Sequence, residues 1–67
     1  MVEWKKLVGK RILFKYFTGQ MIYEARVVEV SPSGNFVKLR IFDGIVEREE
    51  WNHRDKIELL EVLEEEE

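Results

Sequence analysis

Sixty-seven residues with no cysteine allow one small domain and exclude disulfides, thiolate nucleophiles and cysteine-bound zinc. Charged side chains make up 37% of the chain and the net charge is −3, a balance unlike that of a dedicated, strongly basic nucleic-acid binder. No apolar stretch approaches the roughly 18 residues of a membrane helix and the N-terminus lacks a signal-peptide pattern, so a cytoplasmic protein is expected.

Residues 1–10 read as a lead-in, with Trp4, Leu7 and Val8 spaced for one helical turn and Gly9 ending it. Trp4 is expected to pack beneath the sheet. Residues 11–17, RILFKYF, are β-branched and aromatic and predict a first strand. Thr18-Gly19-Gln20 is a turn, and 21–30, MIYEARVVEV, predicts a second strand. Its adjacent Val27 and Val28 suit a bulge that returns Val30 to the buried side. Ser31 to Asn35 holds the only proline and is the densest turn signal. In 36–43, FVKLRIFD, Val37, Leu39 and Ile41 share one face, and Phe36, Lys38, Arg40 and Phe42 share the other. Asp43-Gly44 predicts a hairpin turn into a fourth strand over 45–51, which Trp51 closes as a core or rim residue. Asn52 to Asp55 suits a 3₁₀ turn. Residues 56–63, KIELLEVL, fit a fifth strand or a short C-terminal helix, since Ile57, Leu60 and Leu63 have helical spacing. The Glu64–Glu67 run is expected to be a frayed acidic tail.

Short strands with turn signals every 8–12 residues predict an all-β domain over 1–67, a small five-stranded barrel with its core within 7–63. Closing the sheet on itself would remove its edges. The stretch from Leu7 to Gly44 resembles the SH3-like, Tudor-like group of small barrels. The likeness lies in Val8-Gly9-Lys10 before the first strand, Tyr23-Glu24-Ala25-Arg26-Val27 after the first turn, and an alternating apolar strand ending in Asp43-Gly44. It implies a binding module. In such domains an aromatic cage takes methylated Lys or Arg through cation–π attraction. By position, Tyr16 and Tyr23 would be cage walls and Phe42 a third. The chain lacks the second aromatic of that group's Asp-Tyr-Gly turn, and Ile45 stands where an Asn often follows.

Two surfaces stand out as candidates. The first is the outer face of the third strand, Phe36, Lys38, Arg40 and Phe42, joined by Arg26 if the second strand pairs with it. Cations interleaved with flat rings suit DNA or RNA, because cations neutralise phosphate and rings stack on bases. A weaker similarity to small archaeal chromatin proteins with SH3-like barrels points the same way. The second is a peptide groove of Tyr16, Phe17, Tyr23 and Trp51. Charge is segregated along the sequence: residues 1–43 carry eight basic and four acidic side chains, and 44–67 carry three basic and ten acidic. The first half would serve nucleic acid, and the second would serve a basic peptide or protein.

A catalytic role is not expected. His53 is the only histidine and suits a capping or surface role, so no metal site is expected. Glu47, Glu49 and Glu50 read as solvated charge on a hairpin, without the burial that separates paired catalytic carboxyls. No phosphate-binding loop and no cofactor motif is present. The wealth of Glu, Lys and Arg beside few Asn and Gln resembles hyperthermophile composition. The reading is a non-catalytic binding module for nucleic acid or for a protein, or a protein with no ligand of its own.

Overall fold

A computed structural model describes residues 2–63. The chain folds into one five-stranded antiparallel sheet: β1 (Arg11–Tyr16), β2 (Tyr23–Val30), β3 (Phe36–Asp43), β4 (Val46–His53) and β5 (Ile57–Leu63). The spatial order is β4-β3-β2-β1-β5. A 3₁₀ turn at Trp4–Leu7 precedes the sheet, and another at Arg54–Lys56 carries the chain from β4 to β5. Among the described residues no helix is long and apolar enough to cross a membrane.

The alternation in the sequence sets the core. Ile12 and Phe14 of β1, Ala25 and Val27 of β2, Val37, Leu39 and Ile41 of β3, and Ile57 of β5 are buried together, with Trp4 packed against them. Glycine shapes the junction between Trp4–Leu7 and β1. Gly9 has φ +90°, its N–H donates to the Val27 carbonyl at 2.7 Å, and Val27 N–H donates to the Lys10 carbonyl at 3.0 Å. The β1–β2 pairing therefore continues past the first residue of β1.

The expected bulge is present in β2. Register passes from Val27 opposite Leu39 to Glu29 opposite Lys38, so Val28 is the extra residue. The added residue restores Val30 to the core side, opposite Val37. The β3–β4 turn differs from the expected one by one position. Asp43 pairs with Val46, so the two-residue loop is Gly44-Ile45, with Gly44 at φ +70°. That geometry places a glycine first in the hairpin loop.

Residues 57–63 form a strand and not a helix. Six residues of β1 find partners in β5, from Arg11 opposite Leu63 to Tyr16 opposite Ile57. Without β5, the second edge of β1 would lack hydrogen-bonding partners. Leu60 is an extra residue in this pairing, since Leu13 faces Glu61 and Phe14 faces Leu59.

The sheet does not close as a barrel, which corrects the closed five-stranded expectation. β4 and β5 are its two edges. The cause lies in β4, which supplies none of the buried apolar core. Its core-side positions, opposite Ile41, Leu39 and Val37, are Arg48, Glu50 and Asn52. All three are half-buried and polar, so β4 brings no apolar side chain to a seam with β5. The architecture is compatible with an SH3-like small β fold. The Glu64–Glu67 tail lies outside the described residues.

Candidate binding surface

The outer face of β3 and β4 is built from directly opposed pairs. Phe36 faces His53, Lys38 faces Trp51, Arg40 faces Glu49 and Phe42 faces Glu47. Each pair makes the contact its chemistry favours. The Phe36 and His53 rings meet edge to face with centroids 5.0 Å apart. The Lys38 ammonium lies 5.9 Å from the Trp51 ring centroid. Arg40 donates to one Glu49 carboxylate oxygen from Nε at 3.0 Å and from Nη2 at 2.6 Å. Lys38 lies 3.5 Å from the other oxygen of Glu49. Hydrogen bonding from Arg40 holds the Glu49 carboxyl below the usual carboxylate range.

Arg26 joins this face as expected, opposite Arg40 in the β2–β3 register. Arg11 is opposite Arg26 on its other side, so three arginines form a row across β1, β2 and β3. Each has an acceptor. Arg11 reaches Glu24 at 2.9 Å, Arg26 donates to the Gly9 carbonyl at 2.7 Å, and Arg40 holds Glu49. Five residues proposed from sequence, Arg26, Phe36, Lys38, Arg40 and Phe42, are thus on one face. The sequence does not single out Arg11 or His53 there, and Glu49, read as solvated charge, is exposed but also holds Arg40. Strand parity carries their orientation, but the β3–β4 register decides their partners.

The second set is not brought together. Tyr16 and Tyr23 lie on the core side, packed against Phe14 with centroids 5.4 and 5.7 Å away. Trp51 is on the opposite face of the sheet and 47% exposed. It is neither core nor part of a groove with the tyrosines. Phe17 follows β1 and lines a hollow near the start of β5. The aromatic cage fails for the same reason: Phe42 is on the outer face, leaving only Tyr16 and Tyr23, whose rings meet edge to face at 5.8 Å. The space beside them is taken by charge. Arg48 bridges Asp43 and Glu50, both at 2.7 Å, and the Tyr16 hydroxyl lies 3.5 Å from Glu50. Burial, and then the Glu50 charge, push the Tyr16 hydroxyl above its ordinary pKa.

His53 does cap the second 3₁₀ turn, accepting the Asp55 N–H at Nδ1 over 3.1 Å. The structure also changes the meaning of the charge asymmetry. β4, from the acidic half, pairs along its length with β3, from the basic half. The two signs are interleaved on one surface. Comparison with known protein families, with curated proteins and with solved structures found no match.

Proposed function

We propose that the chain is a non-catalytic, Tudor-like protein-interaction module that binds its partner through the outer face of β3 and β4. The observation that carries this reading is the pair of exposed rings, Phe36 at 46% and Trp51 at 47%, beside Lys38 and Arg40, which share the single carboxylate of Glu49. Trp and Arg are the residue types most enriched where binding energy concentrates in protein interfaces. Cations that already hold a carboxylate offer a polyanion less than the same cations unpaired would, and the exposed rings supply apolar area to bury against a protein. The carboxylates here are exposed and tied to cations, an environment that favours ionised, inert acids over catalytic ones.

A second reading, nucleic-acid binding, draws on the Arg11–Arg26–Arg40 row. Exposed ion pairs contribute little stability, roughly 0–1 kcal/mol each, so phosphates could displace Glu49 and Glu24 at low salt. An NMR titration of the labelled protein with a short DNA duplex, a single strand and an RNA at low salt separates the readings. The protein-module reading expects the β3 and β4 amides to stay in place. Saturable shifts at Lys38, Arg40 and Arg26 that fade as salt rises would replace it with the nucleic-acid reading.

A further inference from the structure

The two sheet edges are protected unequally. Edge strands offer unpaired backbone donors and acceptors to any extended chain, and charge along the strand is a common defence. β4 has that defence in Glu47, Arg48, Glu49 and Glu50, four consecutive charged residues, three of them in ion pairs on one face or the other. β5 does not. It reads Ile-Glu-Leu-Leu-Glu-Val-Leu, pairs only with β1 among the described residues, and exposes Leu60 at 41% and Val62 at 40%.

We infer that the free edge of β5 receives a short extended segment of a partner protein, alternating basic and apolar residues, as an added strand. Charge selects this occupant. β5 holds two glutamates, Glu58 and Glu61, and no cation. A second copy of β5 would bring like charges together, whereas Lys or Arg on an incoming strand would meet Glu61 and also Glu58, which lies 3.5 Å from Lys15 of β1. The Leu60 bulge interrupts the ladder and discourages long edge-to-edge stacking, which limits the added strand to a short one. An anchor lies at the start of β5. A hollow of about 410 Å³ is lined by Trp4, Phe17, Ile57 and Leu59, with Arg54 and Glu58 among its polar residues. It suits one apolar side chain of the incoming segment, the usual way in which strand addition acquires selectivity. This surface is separate from the outer face of β3 and β4 and stands without it.

The test is an NMR titration of the full chain with a peptide of about seven residues alternating Lys and Val, against a control with Glu in place of Lys. The expected result is saturable shifts confined to Ile57–Leu63 and the hollow residues, weakening roughly tenfold from low to high salt. Glu61→Lys and Val62→Lys change exposed positions and should leave the thermal midpoint nearly intact. Each should weaken the peptide about fivefold or more by charge repulsion. Trp51→Ala should leave the peptide affinity unchanged, so the outer-face reading can fail while this one stands. An equal response to the Glu peptide, no saturable response at millimolar Lys–Val peptide, or a dimer in sedimentation whose β5 amides are protected would each overturn the inference.

Discussion

At the scale of single residues, Glu49 controls the outer face. Its carboxylate accepts both Arg40 hydrogen bonds and lies 3.5 Å from Lys38. A carboxyl held below its unfolded pKa binds fewer protons when folded. Its stabilising effect is present above the unfolded value and is lost as pH falls through the folded one. Its NMR titration midpoint should therefore lie below the reference value of 4.5, and Glu49→Gln should flatten the acid limb of the stability curve. The same variant leaves Lys38 and Arg40 without their shared anion. Its affinity for a short duplex at low salt should exceed the parent's; equal affinities would show that Glu49 does not mask these cations. Asn52 makes a different case. Its Nδ2 is buried without a hydrogen-bond partner among the described residues, on the core side opposite Val37. An unsatisfied buried donor costs roughly 1–3 kcal/mol, so Asn52→Leu should raise the chemical-denaturation midpoint. A lower midpoint would mean that the amide supports the strand in a way its contacts do not reveal. Leu39→Ala, at the centre of the core, should remove about 2–5 kcal/mol. That loss is measurable by the same denaturation and large against the roughly 3–10 kcal/mol expected for a chain of this length.

At the scale of elements, the strands legible in the sequence are those that bury one face. Val37, Leu39 and Ile41 alternate with polar and aromatic neighbours, and β3 occupies the expected residues. The Val27-Val28 doublet disclosed the β2 bulge because two adjacent apolar residues cannot both face the core of a regular strand. β5 was ambiguous because the Leu60 bulge breaks its period of two and leaves apolar spacing that also fits a helix. Its pairing with β1 settled the outcome, a long-range contact that local spacing does not encode. The β3–β4 loop had the largest consequence. A turn at Asp43-Gly44 would set Lys38 opposite Glu49 and Arg40 opposite Glu47. The observed loop at Gly44-Ile45 slides β4 by two residues and instead gives Lys38 to Trp51 and Arg40 to Glu49. Both registers keep the same side chains outward, so hydrophobic patterning could not choose between them. The observed loop needs positive φ only at its first residue, Gly44, whereas a type I′ loop at Asp43-Gly44 would need it at Asp43 as well, and no residue but glycine has it among the described residues; open space lies where a Gly44 Cβ would stand. Gly44→Ala should cost about 1 kcal/mol of purely conformational strain, seen as a lower denaturation midpoint with an unchanged slope. A cost near zero would argue that the loop register does not depend on glycine.

At the scale of the whole molecule, the charge segregation along the sequence is interleaved where β4 pairs with β3. Lys38 and Arg40 meet Glu49 across β3 and β4, and Lys15 meets Glu58 across β1 and β5. A polarity obvious in the sequence thus says little about the surface, and it had supported two ligands that the folded face does not distinguish by charge alone. The open edge belongs to the same strand, which offers Arg48, Glu50 and Asn52 on the core side and no buried apolar residue. What the surface retains is aromatic exposure at Phe36 and Trp51 beside two cations that share Glu49, the basis for the proposed protein partner. A photo-cross-linking amino acid at position 36, expressed in the cells the protein comes from, tests this directly, with the same group at the fully exposed Ile45 as control. Discrete protein adducts are expected at position 36, absent at position 45 and abolished by Trp51→Ala. Nucleic-acid adducts at position 36, or the same adducts at both positions, would contradict a protein partner at this face.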